Sequence, residues 1–112
     1  MFNFKDISQL GGLLKEAMQV RQKIETLKEE LAKEIVEGES GGGMVKIRMN
    51  GKFEVLNITI SDEVFSEGMA DKSLLEALIL SAFNVTSEKV RLLAKEKMKE
   101  IAGGLEIPGF MD

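Results

Sequence analysis

The stretch VEGESGGGMVKIRMNGKFEV, residues 36–55, decides the fold. It holds four glycines in the first eight residues, then alternates apolar and basic side chains, then reaches an Asn-Gly pair. Ile35 to Glu37 suit an extended strand. Gly38 and Gly41–Gly43 permit positive φ and a bulge or reversal. Val45, Ile47 and Met49 alternate with Lys46 and Arg48, which is the period of a strand with one covered face. Asn50-Gly51 then signals a hairpin turn. The segment therefore reads as strand, hinge, strand, turn, strand.

Side-chain parity selects the second turn. A two-residue Asn-Gly loop sets Arg48 opposite Phe53. A three-residue loop, Met49-Asn50-Gly51, sets Ile47 opposite Phe53, Val45 opposite Val55 and Lys46 opposite Glu54. The second register separates apolar from charged residues and is expected, with Gly51 left-handed. Beyond Val55 the apolar phase moves to Leu56, Ile58 and Ile60, which calls for a bulge or for burial of both faces. The glycine run has a phosphate-cradling alternative. No helix N-terminus and no P-loop lysine follow it, so a structural reversal is the expected reading.

Helical patterns flank this meander. From Ser8, a candidate N-cap, to about Glu34, Leu10, Ala17, Ile24 and Leu31 recur every seven residues. Leu13, Val20 and Leu27 recur with the same spacing, offset by three, as in an a/d heptad. Gly11 and Gly12 predict weak helicity before Leu13. A helix of about 25 residues spans about 37 Å, more than a small sheet can cover, so an apolar seam remains for a partner. Residues 61–73 are acidic and read as a loop with one helical turn near Val64-Phe65. Ser73-x-x-Glu76 has capping-box form, with Asp71 as the alternative cap. A second long helix runs from there to about Ile101 and is stopped by Gly103-Gly104. The fold class is α+β in a single domain over residues 1–102, followed by a flexible tail over 103–112.

Composition limits the chemistry. The chain has 112 residues, 44% hydrophobic and 30% charged, with no histidine and no cysteine. Nucleophile–histidine pairs and thiolate metal sites are therefore excluded, and no nucleotide fingerprint is present. No enzyme, cofactor, metal or small-molecule substrate is expected. No apolar run approaches a membrane span and the N-terminus lacks the features of a secretory signal, so a cytoplasmic location is expected.

The net charge is −4, unevenly spread. Residues 1–39 carry −2, 40–60 carry +2, 61–76 carry −4, 77–102 carry +2 and the tail −2. Positive charge thus collects on the hairpin and on the second helix. Arg91, Lys95 and Lys99 fall on one helical stripe, with Lys89 and Lys97 beside it and Glu88 and Glu96 placed to neutralise part of it. Lys46, Arg48 and Lys52 line the hairpin, where a solvated sheet face is the plain alternative. Arg21, Lys23 and Lys28 flank the first helix as coiled-coil charges or phosphate contacts. The six phenylalanines come without tyrosine or tryptophan, and none is interleaved with bases, so duplex DNA is expected over single strands. The candidate DNA contacts are Arg91, Lys95, Lys99, Lys89, Lys46, Arg48, Arg21 and Lys28. A second copy is expected to cover Leu13, Val20, Ile24 and Leu27 of the seam and Val45 and Ile47 of the hairpin.

SQLGGLLKEAMQVRQKI, VEGESGGGMVKIRMNG, AFNVTSEKV and GGLEIPGF occur here in one order. In that order the chain resembles the YbaB/EbfC family of bacterial nucleoid-associated proteins over nearly its whole length. The family often has Asp-Pro where this chain has Ser61-Asp62. The resemblance implies a homodimer with a central β layer and projecting helical arms. It also implies DNA binding with limited or variable sequence preference, and a role in nucleoid organisation or gene regulation. The alternative expectation is a dimeric scaffold whose arms hold a protein partner.

Overall fold

A computed structural model describes residues 4–66 and 71–102, apart from the side chains of 4–8 and 102. The expected tail, 103–112, lies outside the described residues. Helix α1 spans Phe4–Lys33. Strands β1 (Ile35–Ser40), β2 (Val45–Asn50) and β3 (Val55–Ile60) follow, then a 3₁₀ turn at Asp62–Phe65, then helix α2 (Lys72–Ala102). The α+β order read from the sequence is present. The sheet is antiparallel with β2 in the centre. The molecule is elongated, 80 × 22 × 21 Å.

Alternation fixes which face of the sheet is covered. Val45, Ile47 and Met49 of β2 are fully buried and Lys46 and Arg48 point away. Gly38 and Ser40 of β1 lie on the covered side, and the Ser40 hydroxyl donates to the Leu78 carbonyl of α2 at 2.5 Å. The core joins Val45 and Ile47 to Leu78 and Ala82 of α2 and to Val64 of the 3₁₀ turn. Asp71 caps α2, its carboxylate accepting from the Ser73 amide at 2.9 Å and its carbonyl from the Leu75 amide at 3.0 Å. The alternative cap is therefore the one used.

Three expectations need correction. Helix α1 begins at Phe4 and runs through Ser8, Gly11 and Gly12 without a break, so Ser8 is no cap. The second turn is longer than three residues, because β2 pairs Val45 with Ile60, Ile47 with Ile58, Arg48 with Asn57 and Met49 with Val55. The register shifts between Arg48 and Met49, leaving Leu56 as the extra residue, which is the bulge that the change of apolar phase called for. Burial of both faces does not occur, since Val55, Leu56 and Ile58 are exposed. Finally, the left-handed residue of that turn is Phe53, at φ 63°, and not Gly51. The first turn follows expectation, with Gly41, Gly42 and Gly43 all at positive φ.

Among the described side chains of α1, only those of its C-terminal part are docked. Leu27 is buried and Ile24 and Leu31 half-buried. The Gly51 amide donates to the Leu31 carbonyl at 2.8 Å and to the Glu34 carbonyl at 3.1 Å, fastening the end of α1 to the β2–β3 turn. Residues 9–23 are exposed on every side, Leu13, Leu14 and Met18 at 62%, 65% and 71%.

Candidate nucleic-acid interface

The candidate cations divide between two sides of the sheet. Lys46 and Arg48 project from the face opposite α2. Across the ladder Lys46 faces Glu39 and Thr59, and Arg48 faces Glu37 and Asn57. All six side chains are exposed. Strand β1 thus sets two carboxylates beside the two bases, and the positive charge of residues 40–60 is balanced on that face. The turn-to-turn pairing that does this crosses the glycine run, so the segment sum along the chain could not show it.

Helix α2 carries the other group. Arg91 is held by Glu88, its Nε donating at 3.1 Å and its Nη2 at 2.8 Å to the two carboxylate oxygens. This fork holds Glu88 below and Arg91 above their ordinary pKa values, the hydrogen bond being the larger cause in each. Lys95 and Lys99 are exposed and make no ion pair among the described residues. They are the open charges of the stripe, with exposed Leu92 beside them. Lys89 is committed elsewhere, donating from Nζ to the Glu37 carbonyl at 2.9 Å and so tying α2 to β1.

On α1, Arg21 is exposed, and Lys28 sits 4.0 Å from Glu25 with both side chains largely in solvent. Lys15 and Lys23 are also exposed, which puts Lys15, Arg21 and Lys23 along the undocked part of the helix.

Lys97, read from the sequence only as a flank of the α2 stripe, has a different role. Its Nζ lies 3.2 Å from Glu34, 3.8 Å from Glu100 and 4.0 Å from Glu30, joining α2 to the docked end of α1. Its pKa is raised, first by the hydrogen bond to Glu34 and then by the surrounding carboxylates. Glu100 is its i,i+3 neighbour on α2, but Glu30 of α1 and Glu34 just beyond it are more than 60 residues away, so no local pattern marks the contact between the helices.

Of the residues expected to face a second copy, Leu27, Val45 and Ile47 are covered within this chain and Ile24 partly so, while Leu13 and Val20 stay open. Further apolar surface is open on β3, at Val55, Leu56 and Ile58, and on α2, at Leu80 and Phe83. Among the described residues no acidic cluster fit for a metal ion is found, and no helix is long and apolar enough to cross a membrane.

The sequence matches the family model described as "YbaB/EbfC DNA-binding family" over residues 5–105. It is 40% identical over 104 residues to a nucleoid-associated protein of Legionella pneumophila, covering 92% of this chain and 90% of that protein. A nucleoid-associated protein of Anaeromyxobacter dehalogenans is 42% identical over 98 residues, 88% of this chain and 93% of the other. Among solved structures, the crystal structure of an uncharacterised Helicobacter pylori protein aligns with a TM-score of 0.60 and 29% identity, covering 92% of this chain and 96% of that one.

Proposed function

We propose, from the premise that this chain belongs to the YbaB/EbfC DNA-binding family, that it is a homodimeric, non-enzymatic protein of the bacterial nucleoid. It holds duplex DNA mainly by phosphate contacts and acts in nucleoid organisation or gene regulation. The observation that carries this reading is the family match together with the uncommitted cations on α2 and α1. Lys95 and Lys99 form the centre of the contact surface. Arg91 adds a guanidinium already shared with Glu88. Arg21 and Lys28 extend the surface along α1. Lys46 and Arg48 are secondary, because Glu37 and Glu39 sit beside them. Backbone contacts of this kind give affinity with little sequence information.

The homodimer is supported by apolar surface left open among the described residues. Strand β3 has a free edge and exposed Val55, Leu56 and Ile58, and an open apolar edge is a pairing surface. Leu80 and Phe83 on α2 add to it, as do Leu13 and Val20 on α1.

Fluorescence anisotropy on two unrelated duplexes at two salt concentrations tests the reading. If a dimer neutralises about four to six phosphates, log K falls against log salt with a slope of about −4 to −5. Replacing Arg91, Lys95 and Lys99 together by Ala is expected to weaken binding to both duplexes alike and leave the fold intact, whereas Lys46→Ala with Arg48→Ala weakens it less. The bare apolar stripe of α1 supports a second reading, a scaffold whose arms hold a protein partner. Absence of DNA binding at low salt would favour it.

A further inference from the structure

Asn-Gly is the dipeptide most prone to spontaneous deamidation, because glycine leaves the next amide nitrogen unhindered. The Gly51 nitrogen attacks Cγ of Asn50 and forms the N–Cγ bond of a succinimide. The Cγ–Nδ2 bond breaks, and ammonia leaves carrying the proton from the Gly51 amide. Water then opens the ring to aspartate or isoaspartate. The pair in this chain is fully drawn into the structure: Asn50 and Gly51 are both buried. We propose that Asn50–Gly51 is a latent succinimide-forming modification site and that the docked end of α1 keeps it shut.

The lock acts on the attacking atom. The Gly51 N–H is engaged twice, by the Leu31 carbonyl at 2.8 Å and the Glu34 carbonyl at 3.1 Å. Both acceptors stabilise the protonated amide and aim it at the end of α1 instead of leaving it free to attack the Asn50 side chain. Gly51 is also packed closely against the end of α1, since a Cβ there would lie 2.5 Å from the Leu31 carbonyl oxygen and 2.9 Å from its Cα. The side-chain amide is held in place too, Asn50 Nδ2 donating to the Glu54 carboxylate at 2.9 Å.

The electrophile, by contrast, is not protected. Asn50 Oδ1 accepts from the Lys52 amide at 2.9 Å and the Glu54 amide at 3.1 Å, and two such donors would favour the oxyanion of the tetrahedral intermediate. Protection therefore rests on Gly51 and, through it, on the docking of α1.

The product also carries a consequence. A carboxylate at position 50 replaces the amide that donates to Glu54, so two like charges meet at a part-buried contact. An isoaspartate adds a backbone atom there and moves Gly51 off the Leu31 and Glu34 carbonyls. Deamidation is thus a one-way event that releases the base of α1.

Peptide mapping by mass spectrometry tests this on three samples held in one warm, mildly alkaline buffer. These are the folded protein, the same protein in urea, and a synthetic peptide of residues 46–55. The folded protein is expected to deamidate at Asn50 at least about tenfold more slowly than the peptide, the factor that about 1.4 kcal/mol of local opening supplies. The urea sample is expected to approach the peptide rate. Leu31→Ala, which loosens the end of α1, should fall between. If that variant does not fold, hydrogen exchange of the Gly51 amide in the wild type replaces it, and slow exchange is expected. Deamidation at the peptide rate in protein that remains folded by circular dichroism overturns the proposal, as does rapid exchange of the Gly51 amide. Asn50→Asp should melt below wild type at neutral pH, with the deficit shrinking as pH falls through the carboxyl range.

Discussion

At the scale of single residues, space decides more than conformational freedom does. A Cβ on Gly38 would lie 2.8 Å from the Thr86 amide nitrogen and 2.9 Å from its Cα. These are backbone atoms of α2, and they cannot rotate away. Thr86 is itself buried, its hydroxyl donating to the Ala82 carbonyl at 2.6 Å. Gly38→Ala is therefore expected to lower unfolding free energy by about 1–3 kcal/mol. Gly42 has open space around it and only its φ of +66° to lose, so Gly42→Ala should cost about 1 kcal/mol. Urea unfolding of both variants checks the order. The same distinction explains why the β2–β3 turn departs from the sequence expectation. The sequence marks Asn50-Gly51 as a turn, and parity among apolar residues points to three residues. The actual loop is shaped by a side chain, with Asn50 Oδ1 accepting from two amides within the loop. Gly51 is kept for its closeness to Leu31 and not for positive φ, which passes to Phe53. Neither fact has a local signal.

At the scale of elements, α1 is two helices in energetic terms. Its C-terminal part rests on α2 and the turn. Residues 9–23 are exposed and rest on helical hydrogen bonds, and isolated helices of that length are marginal in water. The heptad spacing read from the sequence runs through both parts, because spacing records which faces are apolar and not what covers them. Leu27→Ala is expected to cost about 2–5 kcal/mol, whereas Met18→Ala should stay within about 0.5 kcal/mol in the isolated chain. The Lys97 contact with Glu30, Glu34 and Glu100 orients the joint between the helices. Lys97→Glu would gather four carboxylates there and is expected to lower Tm clearly more than Lys97→Met does. The cation stripe of α2 was legible from spacing alone. Which of its members are already engaged was not, since the partner of Lys89 is a carbonyl of β1, 52 residues away.

For the whole molecule, the element order, the sheet and the covered face of β2 could all be read from periodicity. The unlike halves of α1 could not, because they follow from where α2 ends against α1. A protein of this shape that pairs with itself is expected to sediment or scatter as about twice 12.4 kDa at micromolar concentration. A mass that stayed at 12.4 kDa as concentration rose would remove the homodimer. Leu56→Lys on β3 should move the mass toward the single chain if the free edge is the pairing surface. The slender outline has a mechanical meaning as well. Helix α1 is about 45 Å long at 1.5 Å per residue, and among its described side chains it is gripped only near one end. It works as a lever whose fulcrum is the Leu31, Glu34 and Lys97 contacts. A tilt of about 10° at that fulcrum sweeps the far tip through about 8 Å over this length. In the proposed homodimer, the opening between two such levers is then governed by a few ångströms of adjustment at the hinge, far from anything the tips touch.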